Sequence, residues 1–146
     1  MKKLLVLFVC LFTMQAAKVW ADDDRPVKVE QMPQQAQQFI KKHFPKSSVA
    51  LAKMEVDLFS KSYEVLFTNG DKLEFDSKGA WTEVNCKYSA VPAEIIPAAI
   101  KTHVKKHYPD TKIIKIEKDS RDYEVELSNK WEIKFDKKFN VIDIDR

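Results

Sequence analysis

Apolar residues recur at helical spacing in two short windows of the chain. Met32, Ala36, Phe39, Ile40 and His43 form one stripe, and Ile96, Ile100, His103, Val104 and His107 form a second; this is the pattern of a helix with one buried face. Pro33 and Pro97 suit a first helical turn, where a missing N–H has no partner to lose, and Pro45 and Pro109 stop the hydrogen-bond ladder. After each helix the period shortens to two. Val49 to Leu58 and Lys112 to Lys118 read as first strands, and Tyr63-Val65-Phe67 and Tyr123-Val125-Leu127 alternate with polar neighbours as second strands. Asn69-Gly70, matched by Asn129, predicts a hairpin, because such turns need positive φ. Leu73-Phe75 and Ile133-Phe135 are third strands. Ala80 to Cys86 and Asn140 to Ile144 are fourth strands.

The two windows are copies of one pattern. Residues 32–45 lie over 96–109 at an offset of 64 with five identities in 14 positions, and residues 63–85 lie over 123–145 at an offset of 60 with seven identities in 23. The expectation is an α+β fold made by tandem duplication of an α-β4 unit, with a helix packed on a four-stranded antiparallel sheet in each repeat, about 30–88 and 89–146. Strand parity then assigns faces. Tyr63, Val65, Phe67, Leu73, Phe75, Thr82 and Val84 should lie under the first helix, and Tyr123, Val125, Leu127, Trp131, Ile133, Phe135, Ile142 and Ile144 under the second. The opposite face should carry Glu64, Leu66, Lys72, Glu74, Trp81 and Glu83 from one repeat, with Glu124, Glu126, Glu132, Lys134, Val141 and Asp143 from the other.

The start of the chain has a different logic. Met1-Lys2-Lys3, an apolar run from Leu4 to about Thr13 and Val19-Trp20-Ala21 read as a secretory signal peptide over 1–21. The run is too short for a spanning helix, which needs about 20 apolar residues, so no stable membrane insertion is expected after cleavage. Cys10 lacks the small residues of a lipidation site. One domain over 22–146 remains, and with Lys2, Lys3 and Lys18 removed the 25 basic residues become 22 against 22 acidic ones. The apparent basicity belongs to the export signal, and nucleic acid loses its electrostatic footprint as a partner. Only Cys86 remains in that domain, so no internal disulfide can form there.

The segments Tyr-Glu-Val-Leu-Phe-Thr-Asn-Gly-Asp-Lys-Leu-Glu-Phe-Asp-Ser-Lys-Gly-Ala-Trp (63–81), His-Tyr-Pro (107–109) and Tyr-Glu-Val-Glu-Leu-Ser-Asn (123–129) resemble the PepSY-like family of exported bacterial proteins, similar in fold to the beta-lactamase inhibitory proteins. The resemblance implies a tandem α-β4 fold, a periplasmic or secreted address and an inhibitory or protein-binding role without established chemistry. It carries no catalytic residues. Lys130 stands in place of Gly70, and Phe139 in place of Gly79.

Candidate chemistry is sparse. His103 and His107 have the spacing of a two-histidine metal grip, but His103 aligns with the core position Phe39, which favours a structural role. Asp22-Asp23-Asp24 and Asp143-x-Asp145 offer the oxygens that Ca²⁺ prefers, yet no loop has EF-hand spacing. A frayed acidic start and a solvated strand are the plainer readings. Glu64 and Glu74 on neighbouring strands suit a solvated face better than a catalytic pair. The sequence therefore points to a non-enzymatic protein-binding module without a required cofactor, presenting Trp81, Leu66, Glu64, Glu83, Glu124 and Lys134 to a protein or peptide partner, with Trp81 as the affinity anchor. The alternative is a Ca²⁺-responsive periplasmic binding or sensing protein.

Overall fold

The computed structural model describes residues 23–146; the signal peptide expected over 1–21, its expected cleavage point before Asp22, and Cys10 lie outside the described residues. Nine strands form one open antiparallel meander in sequence order: β1 (Asp23–Pro26), β2 (Val49–Val56), β3 (Lys61–Phe67), β4 (Lys72–Phe75), β5 (Trp81–Asn85), β6 (Ile113–Lys118), β7 (Asp122–Leu127), β8 (Glu132–Asp136) and β9 (Val141–Asp145). Helix α1 (Gln34–His43) precedes β2 and helix α2 (Ala98–His107) precedes β6. Among the described residues no helix is long and apolar enough to cross a membrane.

Each helix stops where its sequence says it must. Phe44 and Tyr108, the residues before Pro45 and Pro109, leave helical geometry at φ −131° and −137°, since a following proline disfavours the α region. Both helices lie on the same sheet face. Phe39 meets Phe75 edge-on at 5.7 Å and His103 meets Phe135 edge-on at 5.3 Å; Phe44 stacks on Phe67 at 5.3 Å. With Ala36, Ile40, Ile100 and Val104 they close one continuous core over Val65, Leu73, Val84, Ile116, Val125 and Ile133, which are fully buried.

Four strands contain one extra residue, and two of these bulges change faces that alternation predicts. Between β4 and β5, Glu74 pairs with Glu83 but Phe75 pairs with Trp81, so Thr82 is extra. That single insertion turns Trp81 to the helix side. There Trp81 lies 6.3 Å from the Phe39 ring, with the Lys118 ammonium 4.1 Å from its centroid. The expectation that Trp81 stands on the open face is thus corrected. Between β8 and β9 the same step leaves Ile142 extra and turns Val141 inward. Ile142 and Ile144, expected under α2, remain about half exposed at 54% and 47%, because β9 is the outer strand of the sheet. The acidic start is not frayed either: Asp23–Pro26 pairs with Lys53–Val56 as the opposite edge.

Left-handed turns recur at matching places, φ +92° at Gly70 and +75° at Lys130, +89° at Gly79 and +65° at Phe139. Phe139 gains a stacked contact with Tyr123 at 5.5 Å. Lys130 is exposed, and among the described residues its one ion-pair partner is Glu126 at 3.7 Å. Lys130→Gly should therefore raise stability by about 1 kcal/mol, the usual cost of a side chain in this conformation, read as a higher urea midpoint with an unchanged m-value.

A candidate protein-interaction face

The sheet face opposite the helices is organised by register. Following partners across the strands gives one line, Lys53, Glu64, Glu74, Glu83, Glu117, Glu124, Lys134 and Asp143. Five glutamates on five adjacent strands, β3 to β7, therefore stand directly opposite one another. Like charges in that relation destabilise a sheet. The next line is Leu51, Leu66, Lys72, Asn85, Lys115, Glu126, Glu132 and Asp145. Together the two lines hold nine carboxylates and four lysines.

The lysines are placed to limit the repulsion. Lys72 Nζ lies 3.1 Å from Glu74, 3.6 Å from Glu83 and 3.9 Å from Glu64. Lys115 pairs with Glu117 at 2.6 Å, Lys134 with Glu124 at 3.7 Å and Lys53 with Glu64 at 3.8 Å. Burial disfavours the charged forms of Lys72 and Lys115, yet their hydrogen bonds to Glu74 and Glu117 and the surrounding carboxylates hold both above the usual lysine range. Glu83, at the seam between the halves, is 8% exposed. Burial, then the Glu74 charge, pushes its carboxyl above the ordinary glutamate range, with Lys72 pulling the other way. Glu124 is raised as well, by burial and then by Glu117. An open depression of about 340 Å³ at the seam is lined by Glu74, Glu83, Glu117 and Glu124, with Asp122, Arg121 and Lys134 among its other walls.

Glu83→Gln should therefore stabilise the empty protein by about 1 kcal/mol at neutral pH, by removing repulsion from both neighbours while Lys72 keeps Glu74 and Glu64. A carboxyl whose pKa is raised on folding binds a proton more readily folded than unfolded, so its contribution is fully present below the unfolded pKa and is lost as pH rises through the folded one. Thermal melts of the wild type against Glu83→Gln should diverge in that direction, with the variant's advantage growing as pH rises from the ordinary glutamate range.

Of the residues singled out from sequence, Glu64, Glu83, Glu124 and Lys134 fall in the one line, Leu66 stands beside it next to Leu51, and Trp81 is on the other side of the sheet. Glu74, Glu117, Lys72 and Lys115 complete the arrangement. Glu117 and Lys115 lie in the strand read over 112–118, and Glu74 and Lys72 on the face that parity assigns them, but their alignment depends on the β5–β6 pairing, Glu83 opposite Glu117, which no local turn sets. The helix face has opposite charge. Neither helix contains an acidic residue, and Lys41, Lys42, Lys101, Lys105 and Lys106 are exposed on them.

The other candidates resolve structurally. The His103 and His107 rings lie 4.4 Å apart with their planes tilted by 37°. Burial, then the charge of His107, keeps His103 below the usual histidine pKa. Cys86 is 1% exposed, and burial followed by the Asp71 charge pushes its thiol up to about 12, which suppresses the reactive thiolate. Among the described residues no group of three His, Cys, Asp or Glu side chains converges to hold a metal ion.

Comparison with known proteins gives the wider setting. A family model described as "Putative beta-lactamase-inhibitor-like, PepSY-like" matches residues 61–143. A Bacteroides vulgatus crystal structure, described as a "putative periplasmic protein" of the DUF2874 family, is 68% identical with TM-score 0.84, covering 86% of this chain and 99% of its own. A Bacteroides thetaiotaomicron structure, described as a "putative calcium-regulated periplasmic protein", is 64% identical with TM-score 0.84, covering 85% and 98%. Another from B. vulgatus, described as of unknown function, is 38% identical with TM-score 0.81, covering 85% and 100%. No curated protein matches the chain.

Proposed function

Since the chain belongs to the PepSY-like family, we propose that it is an exported periplasmic protein-binding module without catalytic activity, built from two copies of one α-β4 unit, whose open sheet face covers a peptidase or other envelope enzyme. The carrying observation is the face itself: a broad helix-free sheet surface on which Leu51 and Leu66 adjoin a line of charged groups held at fixed strand spacing. Such a surface supplies area for burial and a charge pattern for selecting a partner. The mechanism is occlusion, in which a rigid sheet lies over a groove or active site. Three histidines, all on helices, and a buried unreactive thiol give little material for acid–base or nucleophilic work.

A photo-crosslinking residue at position 66, in the exported chain in its native cell, should trap a discrete protein, whereas the same residue at position 105 on α2 should not. Trapping from position 105 alone would contradict the proposal. A second reading is favoured by the B. thetaiotaomicron relative's description as calcium-regulated: the acidic face responds to Ca²⁺. It requires a melting temperature that rises with Ca²⁺ and falls with chelator.

A further inference from the structure

We infer that the occupant of the open face is a basic polypeptide segment, whose lysine or arginine side chains lie across the strands and neutralise the glutamate line from β3 to β7. This rests on the protein-binding reading and specifies its partner. Neighbouring strands stand about 4.8 Å apart, so five successive glutamates extend over roughly 19 Å. A linear array of that length calls for several cations at intervals. A single Ca²⁺ needs six to eight oxygens at about 2.3–2.6 Å around one point, and no such convergence exists among the described residues.

Energetics point the same way. With the face empty, Glu74, Glu83 and Glu117 each have a glutamate on both sides, and the central one is among the few buried charged residues of the fold. Lys72 is shared among three of the line's glutamates. Lys53 divides its charge between Glu64 and the edge pair Asp24 and Glu55. Cationic groups arriving from a partner gain their own attraction and also relieve repulsion present in the free protein. Guanidinium groups suit the line particularly, because each can bind a carboxylate through two parallel hydrogen bonds. The lysine-bearing helices lie on the far face and repel the same partner, so a basic segment is directed to one side of the molecule.

The test uses the chain from Asp22 and a fluorescein-labelled peptide of eight arginines, followed by anisotropy at about 0.05 M and about 0.15 M salt, where charge screening differs. Binding that weakens with salt is expected. Glu83→Gln/Glu117→Gln should weaken it at least tenfold, and Lys101→Gln/Lys105→Gln on α2 should leave it within about twofold; the glutamine pair should melt no lower than wild type, which excludes misfolding as the cause. Equal binding by the glutamine pair and wild type would overturn the inference. So would a Ca²⁺-dependent rise in melting temperature that the glutamine pair abolishes while the arginine peptide fails to bind, since the line would then belong to the ion. If either occurs while position 66 still traps a protein, the interaction face stands and only the basic partner is lost.

Discussion

Replacing Gly79 with alanine is expected to lower the free energy of unfolding by about 3 kcal/mol. Two costs add. At φ +89° an L side chain sits in the left-handed region, at roughly 1–2 kcal/mol. The new Cβ would also lie 2.8 Å from Pro33 Cβ and 3.0 Å from the Ala36 backbone nitrogen. Those atoms belong to the N-cap and the first turn of α1, so relief requires the helix start to move away from the sheet, a strain of about 1–3 kcal/mol typical of overpacking. Urea unfolding should show a lower midpoint with the same m-value. A loss under about 1 kcal/mol would mean that α1 is not held as closely to the β4–β5 turn as described. The equivalent Phe139 tolerates its side chain because the ring stacks on Tyr123.

The second large effect is at Trp81. Trp81→Ala should cost about 2–3 kcal/mol, somewhat below the range for a fully buried aromatic, since the ring is only partly covered. The loss comprises contact with Phe39 and the Lys118 cation–π interaction, itself about 0.5–2 kcal/mol. Partner trapping from position 66 should be unchanged once the variant is compared at equal folded fraction. A variant that is stable but no longer trapped would return Trp81 to the interaction surface. The expected outcome is the reverse, because the side chain points into the helix layer.

The contrast between Trp81 and Glu83 shows what a single sequence can reveal. Helices, their stops and most strand faces follow from local periodicity, and Glu64, Leu66, Glu83, Glu124 and Lys134 lie on the open face as alternation requires. Trp81 does not, because one inserted residue, Thr82, reverses parity, and nothing in Ala-Trp-Thr-Glu marks the insertion. Ile142 and Ile144 were legible as apolar but not as an edge, since exposure there depends on which strands lack a neighbour. Asp-Asp-Arg-Pro lacks both alternation and apolar content; it becomes a strand only through β2. The glutamate line is the least local feature. Each member is an ordinary polar strand position, and the repulsive row arises only when register places all five opposite one another, including across the β5–β6 seam, where the two strands are joined through α2.

The most direct measurement is an amide NMR map of the isotopically labelled chain from Asp22, titrated with the eight-arginine peptide. The account predicts that shifts concentrate on β3 to β7 around Glu64, Glu74, Glu83, Glu117 and Glu124, with α1 and α2 unperturbed. Shifts confined to the helices or to the β1 and β9 edges would contradict it, because the acidic sheet face would then not be the surface that receives a basic partner.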